Sequence, residues 1–173
     1  MRNLALFGLV VVTSLLTGCA SLALQENMVV PATTLSTKSF DTGLKKAIVV
    51  TDVVGDEKTY GFLASNDFKT ALSNSLDNAG LLIPSGKAKY EVTALLSKVE
   101  LPAFAITMNA TITVDYVVKE AGGKEVFKKT VVSQGVATGS EAFVGTKRLQ
   151  MAVERSAKSN IGSFIDALSG FKP

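Results

Sequence analysis

The chain has 173 residues, of which 47% are hydrophobic and 19% are charged, and its net charge is +3. This is the composition of one globular domain, and the small charge argues against a nucleic-acid-binding protein, which carries a concentrated basic face. The sequence has no histidine and one cysteine. These absences exclude Ser-His-Asp, Cys-His and zinc-hydrolase chemistry, and we expect neither an enzymatic activity nor a metal site.

The N-terminus has the pattern of a secretory leader. Arg2 precedes an uncharged apolar stretch at 4–16, which is shorter than the roughly 20 residues of a membrane span. The stretch ends in LTGC at 16–19, which resembles the bacterial lipobox. This resemblance implies cleavage between Gly18 and Cys19, followed by an S-diacylglycerol and an N-acyl chain on Cys19, with no other cofactor. A cleaved leader with a coincidental cysteine and an N-terminal membrane helix are the alternatives.

The residue after the cysteine bears on which membrane would hold the lipid anchor. In lipoproteins of this kind, aspartate at that position favours the inner membrane of enterobacteria-like cells, whereas this chain has Ala20. We therefore expect a lipid anchor in the outer membrane with the protein facing the periplasm. The alternative is the inner membrane or a Gram-positive cell surface.

The domain organisation predicted from these signals has three parts. A signal peptide covers 1–18, the lipidated cysteine and a tether cover 19–43, and a single α+β periplasmic domain covers 44–173. The tether is expected because small residues, Thr and Ser dominate it and Pro31 interrupts it, with a short extended piece around 28–30.

The first part of the domain predicts a strand followed by a helix. The β-branched run at 46–54 indicates the strand. In the helix, Ser65 is the expected N-cap and Gly80 the expected end. Its predicted sheet-facing stripe follows the i, i+3, i+4, i+7 pattern and consists of Phe68, Ala71, Leu72, Ser75, Leu76 and Ala79.

Three strands are predicted next, at 90–101, 104–118 and 124–138, with Gly122-Gly123 in the turn between the last two. The middle strand alternates strictly, which predicts one buried and one polar face. The buried face consists of Phe104, Ile106, Met108, Ala110, Ile112, Val114, Tyr116 and Val118. The polar row consists of Thr107, Asn109, Thr111, Thr113 and Asp115. Weaker alternation near Lys128-Lys129 indicates a bulge or an edge strand.

A final helix is predicted at 146–168, with Glu154 and Lys158 paired on its outer face. The complete order is β-α-β-β-β-α. It predicts a two-layer α+β fold with a mostly antiparallel sheet and two helices packed on one face.

A family resemblance covers most of 44–168. It is carried by the lipobox, the helix motif FKTALSNSLDNAGL, the YEV strand with its Thr-rich hairpin, and the final helix AVERSAKSNIGSFIDAL. These features resemble the YajG family of small bacterial lipoproteins. More distantly they resemble LptE and the auxiliary lipoproteins of lipid-transport ABC systems. The resemblance implies a non-enzymatic envelope protein.

Several features have both a functional and a plain structural interpretation. The polar row could bind a partner protein or a glycan, although threonine is also ordinary on the wet face of a sheet. Gly135, Gly139 and Gly145 before Lys147 and Arg148 could hold a phosphate or form a simple loop. Scattered lysine pairs could meet lipopolysaccharide phosphates or be solvated.

Two function hypotheses follow. The first is a non-enzymatic accessory or adaptor of an envelope assembly or transport complex. It would be held at the bilayer by Cys19 and would bind an envelope protein through the polar row. The second is a carrier of lipid or glycan with an apolar pocket between helices and sheet. A tightly filled layer between helices and sheet would favour the first.

Overall fold

The computed structural model describes residues 22–55, 62–101 and 105–173, and the elements below belong to those ranges. In chain order they are α1 Gln25–Met28, α2 Ala32–Leu35, a 3₁₀ helix Thr42–Leu44, β1 Ile48–Val54, α3 Ser65–Asn78, β2 Tyr90–Glu100, β3 Met108–Glu120, β4 Glu125–Ala137 and α4 Gly145–Ser169. The strands form a sheet in the order β1-β2-β3-β4, in which β1 is parallel to β2 and the other pairs are antiparallel. The predicted α+β fold with a mostly antiparallel sheet is confirmed.

The alternating segment forms the central strand β3. Every second residue from Met108 to Val118 is buried, as the sequence pattern predicts. Ile106 is an exception: it lies in a bend before the strand, its side chain is 81% exposed, and the prediction that it faces the core is wrong. Phe104 lies outside the described residues. The strand also continues two residues beyond its predicted end, to Glu120.

The β3–β4 hairpin turns where the glycine pair predicts. Gly123 has φ +84°, a left-handed conformation that favours glycine, and its N–H donates to the Glu120 carbonyl oxygen at 2.7 Å. β4 is an edge strand, which confirms one of the two predicted readings. The register shift lies between Val118 and Lys119 and leaves Val126 outside the pairing, two residues before the predicted Lys128.

Helix α3 ends as predicted but begins differently. Gly80 has φ +71°, and the N–H groups of Gly80 and Leu81 close the end of the helix on Asp77 and Leu76. The predicted cap by Ser65 is wrong, because Ser65 is already the first helical residue and the position before it is Ala64. An alanine offers no side-chain acceptor to the free N–H groups of the first turn.

Helix α4 lies directly on β4 and β3. A Cβ added at Gly135 of β4 would stand 2.0 Å from the Ala152 carbonyl oxygen, so the two backbones meet there. Further along the helix, Phe164 stacks on Tyr116 with ring centroids 3.9 Å apart and planes 6° from parallel. The space between sheet and α4 is therefore filled by close backbone contact at one point and by aromatic rings at another.

A buried polar cluster joins α4 to the sheet between these two contacts. The Tyr116 hydroxyl donates to Asn160 Oδ1 at 2.8 Å, and Asn160 Nδ2 lies within hydrogen-bond distance of Val131 O and Ser133 Oγ, both at 3.0 Å. Ser156 Oγ donates to the Ser133 carbonyl oxygen at 3.0 Å. Because each of these polar side chains has partners, the cluster fixes the position of α4 without a large desolvation penalty.

The predicted tether is folded over the part that the structure describes. From Leu22 to Leu44 the chain crosses the outer side of α3 and α4, and it buries Met28, Val30 and Leu44. We call residues 22–44 the N-terminal segment. Its buried apolar residues are widely spaced along the chain, and their burial offsets the cost of ordering the segment. The tether prediction for 22–43 is therefore wrong, while 1–21 lie outside the described residues.

Side chains of both helices hold the N-terminal segment. Glu154 of α4 accepts from the Leu24 N–H at 3.0 Å and from Asn27 Nδ2 at 2.9 Å, and Gln150 Nε2 donates to it at 2.8 Å. Ser75 Oγ of α3 accepts from the Val30 N–H at 2.9 Å. Glu154 is 5% exposed, so the predicted outer-face pair of Glu154 with Lys158 is wrong. The segment covers that side of α4.

Candidate functional site

One face of the sheet carries α3 and α4, and no element of the described chain packs on the other. We call this second surface the open face. Its outward side chains lie on all four strands. They are Val49, Asp52, Val54, Glu91, Thr93, Leu95, Lys98, Glu100, Asn109, Thr111, Thr113, Asp115, Val117, Lys119, Lys128, Thr130, Val132, Gln134 and Val136. The alternation of each strand produces this surface, since the residues between these face the core.

The predicted polar row lies mainly on this face. Asn109, Thr111, Thr113 and Asp115 occupy alternate positions of β3, in the middle of the sheet. Thr107 is exposed but belongs to the bend before the strand, so the structure places it at the end of the row. One member is tied to a neighbour: Asp115 Oδ1 accepts from Thr130 Oγ1 of the paired strand at 2.5 Å.

The open face also has apolar side chains outside the predicted polar row. Val54, Leu95, Val132 and Val136 are 52%, 47%, 66% and 39% exposed. The sequence contains a signal for Leu95. Consecutive residues of a strand face opposite sides of the sheet, so one of Leu95 and Leu96 must point outward; Leu96 is the buried one, at 2% exposure. The face is therefore a mixed surface, in which exposed aliphatic groups stand among hydroxyls.

The strand register brings these groups together. Val54, Leu95, Asp115 and Thr130 are paired in succession and form one row across all four strands. A shallow groove of about 540 Å³ follows this row and the next, with Val54, Thr93, Ala94, Leu95, Asp115, Val117, Lys128 and Thr130 as its lining. Its aliphatic floor, with a carboxylate and an ammonium group beside it, can bury an apolar side chain and hydrogen-bond the polar groups of a protein partner.

Two titratable groups, Tyr116 and Glu141, have pKa values that are shifted by structural contacts. Burial raises the pKa of the Tyr116 hydroxyl well above its usual value, so this group stays a neutral donor to Asn160. Glu141 is held by Arg155, and this ion pair with the hydrogen bonds from Thr138 lowers the pKa of the Glu141 carboxyl to about 2. Within the described ranges, no group of three His, Cys, Asp or Glu residues could hold a metal ion.

The glycine-containing segment before α4 is used for packing. Gly135 lies against α4, and a Cβ added at Gly139 would stand 3.1 Å from Ile106 Cγ2. Arg148 Nη1 donates to the carbonyl oxygens of Ala142 and Phe143, both at 2.8 Å, and so holds the loop to the start of the helix. Lys147 Nζ donates to Gln150 Oε1 at 3.1 Å. These contacts give the glycines and the Arg148 guanidinium a structural role.

These features define an α+β protein with one covered and one open sheet face. A candidate lipoprotein from Caulobacter crescentus has a similar fold, with a TM-score of 0.54 and 14% identity over 80% of this chain and 95% of its own. A Xanthomonas campestris protein of the DUF330 family gives 0.58 and 10%, over 75% and 88%. PelC from Paraburkholderia phytofirmans, solved as a dodecamer, gives 0.53 and 14%, over 78% and 96%.

At these identities the comparisons show a shared fold. No protein-family model and no curated protein sequence matches the chain, so the resemblance to the YajG and LptE families stays a prediction. No helix among the described residues combines the length and the apolar character needed to span a bilayer.

Proposed function

We propose that this protein is a lipoprotein, held at the periplasmic side of the outer membrane by acylated Cys19, which serves as a non-enzymatic accessory of an envelope complex. The open face is its binding surface for a protein partner. The observation that carries this proposal is the contrast within one sheet: one face is filled by helices, and the other presents aliphatic and hydroxyl groups to solvent.

The anchor is supported by the sequence at its N-terminus. The apolar stretch at 4–16 and the lipobox at 16–19 have the order and spacing of lipoproteins, and Ala20 favours the outer membrane. The fold is shared with a candidate lipoprotein from another bacterium. Two or three acyl chains on one cysteine give a persistent anchor, since each buried CH₂ adds about 0.8 kcal/mol.

The open face has the size that a stable interface needs. Four strands spaced about 4.8 Å apart and about 11 residues long give a surface of roughly 19 Å by 36 Å, or about 700 Å². A standard protein–protein interface buries about 800 Å² on each partner. The exposed side chains of Val54, Leu95 and Val132 would supply its apolar contacts on both sides of β3, and the hydroxyls of Thr111 and Thr113 its hydrogen bonds.

The packing between helices and sheet favours this function over that of a lipid or glycan carrier. A carrier needs an apolar cavity between the layers. In this structure Tyr116 and Phe164 are fully buried and stacked there, and the backbone of α4 touches Gly135. The groove of about 540 Å³ lies on the open face, outside the layers.

Site-specific photocrosslinking in native envelopes tests the binding surface. A photoreactive amino acid replaces Leu95 or Thr113 on the open face, and Ser163, an exposed residue of α4, is the matched control. We expect positions 95 and 113 to give the same crosslinked envelope protein and position 163 to give none. Because PelC was solved as a dodecamer, a second copy of this chain is one partner that mass spectrometry of the adduct could reveal.

A second variant and a fractionation complete the test. Thr113→Lys adds a charge to the centre of the open face and should abolish the crosslink from position 95, whereas Ser163→Lys should leave it unchanged. Absence of an adduct at both open-face positions would refute the binding surface. Equal adducts from the control position would refute it too.

Cys19→Ala should move the protein from the membrane to the soluble fraction; if it stays in the membrane as firmly as the parent, the anchor is wrong.

A further inference from the structure

Three exposed apolar side chains stand together at one end of the molecule. Phe143 is 97% exposed, Ile106 81% and Val144 58%. The two loops that carry them touch, since a Cβ added at Gly139 would stand 3.1 Å from Ile106 Cγ2. Arg148 Nη1 donates a hydrogen bond to the Phe143 carbonyl oxygen at 2.8 Å and so holds the backbone of this loop in place. We call Ile106, Phe143 and Val144 the apolar tip.

The described chain begins in the half of the molecule that carries this tip. The Leu24 N–H is bound to Glu154, which follows Val144 by ten residues, or about 15 Å along α4. The Ala23 N–H is bound to the carbonyl oxygen of Phe62, just before α3. The hairpin turn at Gly123 lies at the other end of β3, a strand of 13 residues that is about 40 Å long.

The distance from the fold to the anchor is short. Cys19 precedes Leu22, the first described residue, by three residues. Three residues span at most about 11 Å even when fully extended. A folded domain with so short a connection to an acylated cysteine must lie close to the bilayer, in contrast to one on a tether of 25 residues.

We infer that the apolar tip rests on the phospholipid bilayer, with Phe143 and Ile106 in its interfacial region and the β3–β4 hairpin pointing into the periplasm. This inference rests on the proposed acylation of Cys19. Aromatic and aliphatic side chains at such a depth lose contact with water and reinforce the anchor. Their near-complete exposure, which the packing of the fold does not require, is then explained by the bilayer as the occupant of that end.

Intrinsic fluorescence can test this arrangement, because the chain contains no tryptophan. Phe143→Trp and Ile106→Trp each place a single tryptophan on the apolar tip. Lys124→Trp, beside the hairpin turn, and Val132→Trp, on the open face, are the controls. Each full-length protein is purified from membranes in its lipidated form and reconstituted into phosphatidylethanolamine–phosphatidylglycerol vesicles, with and without brominated phospholipid. Mass spectrometry verifies the acyl chains on each sample.

We expect brominated lipid to quench the two tip tryptophans strongly and to shift their emission to the blue, with reduced quenching by aqueous acrylamide. The two control tryptophans should keep their fluorescence in brominated vesicles and remain accessible to acrylamide. If acylated protein shows tip tryptophans as open to acrylamide as those at 124 and 132, the inference is wrong while the anchor stands. Lipid quenching at position 124 would equally overturn it. A mass without acyl chains would contradict both the anchor and the inference.

Discussion

The two faces of the sheet belong to the same strands but meet different requirements. On the covered face, β3 places Ala110, Ile112, Val114, Tyr116 and Val118 at 0% exposure. On the open face, the residues between them are polar or half-exposed. The fold needs an apolar covered face, because burial there drives folding, but it does not need exposed aliphatic groups such as Leu95 on the open face. Those groups are therefore the candidates for a role in binding.

Truncation of the covered face should produce the largest effect. Phe164 is fully buried, stacks on Tyr116 and also meets Phe127 at 6.4 Å between ring centroids. Phe164→Ala should lower the free energy of unfolding by about 3–5 kcal/mol, because it removes apolar contacts and leaves a cavity. Urea denaturation followed by far-UV circular dichroism measures this change.

The matched change on the open face is Val132→Ala, at a side chain 66% exposed. We expect it to change the free energy of unfolding by less than about 1 kcal/mol, as exposed strand positions do. A loss comparable to that of Phe164→Ala would show that the open face is covered in the folded chain and would break the contrast between the two faces.

The contact between α4 and β4 gives the next largest effect. In Gly135→Ala the new methyl group would stand 2.0 Å from Ala152 O and 2.4 Å from Ser156 N, both backbone atoms that cannot rotate away. The helix must shift, and we expect a loss of about 3 kcal/mol in the same denaturation assay. Gly122→Ala, which has no heavy atom within 4 Å of its new methyl group, should be nearly neutral. Equal stability of the two variants would mean that α4 does not lie on β4.

The elements with a regular pattern were the ones that the sequence could predict. The alternation of β3, the stripe of α3, Gly80 at the end of that helix and the turn at Gly123 each leave a local signal in the residues themselves. On the open face, four of the five predicted polar residues lie on β3 in one line. Their role as a binding surface stays a prediction.

The missed features depend on contacts between distant parts of the chain. Glu154 looked like a solvent-facing residue because its helical neighbours are charged, yet Leu24 and Asn27, some 130 residues away in sequence, bury its carboxylate. The N-terminal segment lacks periodicity, since single residues such as Met28 fill separate gaps between helices. Leu95 was missed because a continuous apolar run does not show by itself which residues face outward.

The N-terminal segment extends the covered side, and Glu154→Gln tests how firmly it is attached. The Glu154 carboxylate accepts hydrogen bonds from Leu24, Asn27 and Gln150. The glutamine amide has one acceptor oxygen, and its NH₂ group would face a donor that has then lost its acceptor. We expect a loss of about 1–2 kcal/mol, with faster amide exchange at Leu24 and Val30 than in the rest of the fold. Glu91→Gln on the open face is the control. Unchanged exchange at Leu24 would show that Glu154 does not hold the segment.

The smallest expected effect is a pH dependence of the free energy of unfolding. It arises in the loop before α4, where the Glu141 carboxylate pairs with the Arg155 guanidinium. The pKa of the Glu141 carboxyl is about 2, against 4.5 for an unperturbed group, so the folded state favours its ionised form. A lowered folded-state pKa adds stability that is complete above the unfolded pKa and is lost as pH falls toward the folded one. The expected window is thus pH 4.5 down to about 2.

In Glu141→Gln, the free energy of unfolding should fall less steeply across this window than in the parent chain, with parallel profiles above it. Arg155→Gln removes the other partner of the ion pair, and the double variant should show no further change in slope, because the two residues act as a pair. Since the pair is solvent-exposed, added salt should reduce the effect. An unchanged slope in both single variants would mean that this ion pair does not hold the loop before α4 in the folded chain.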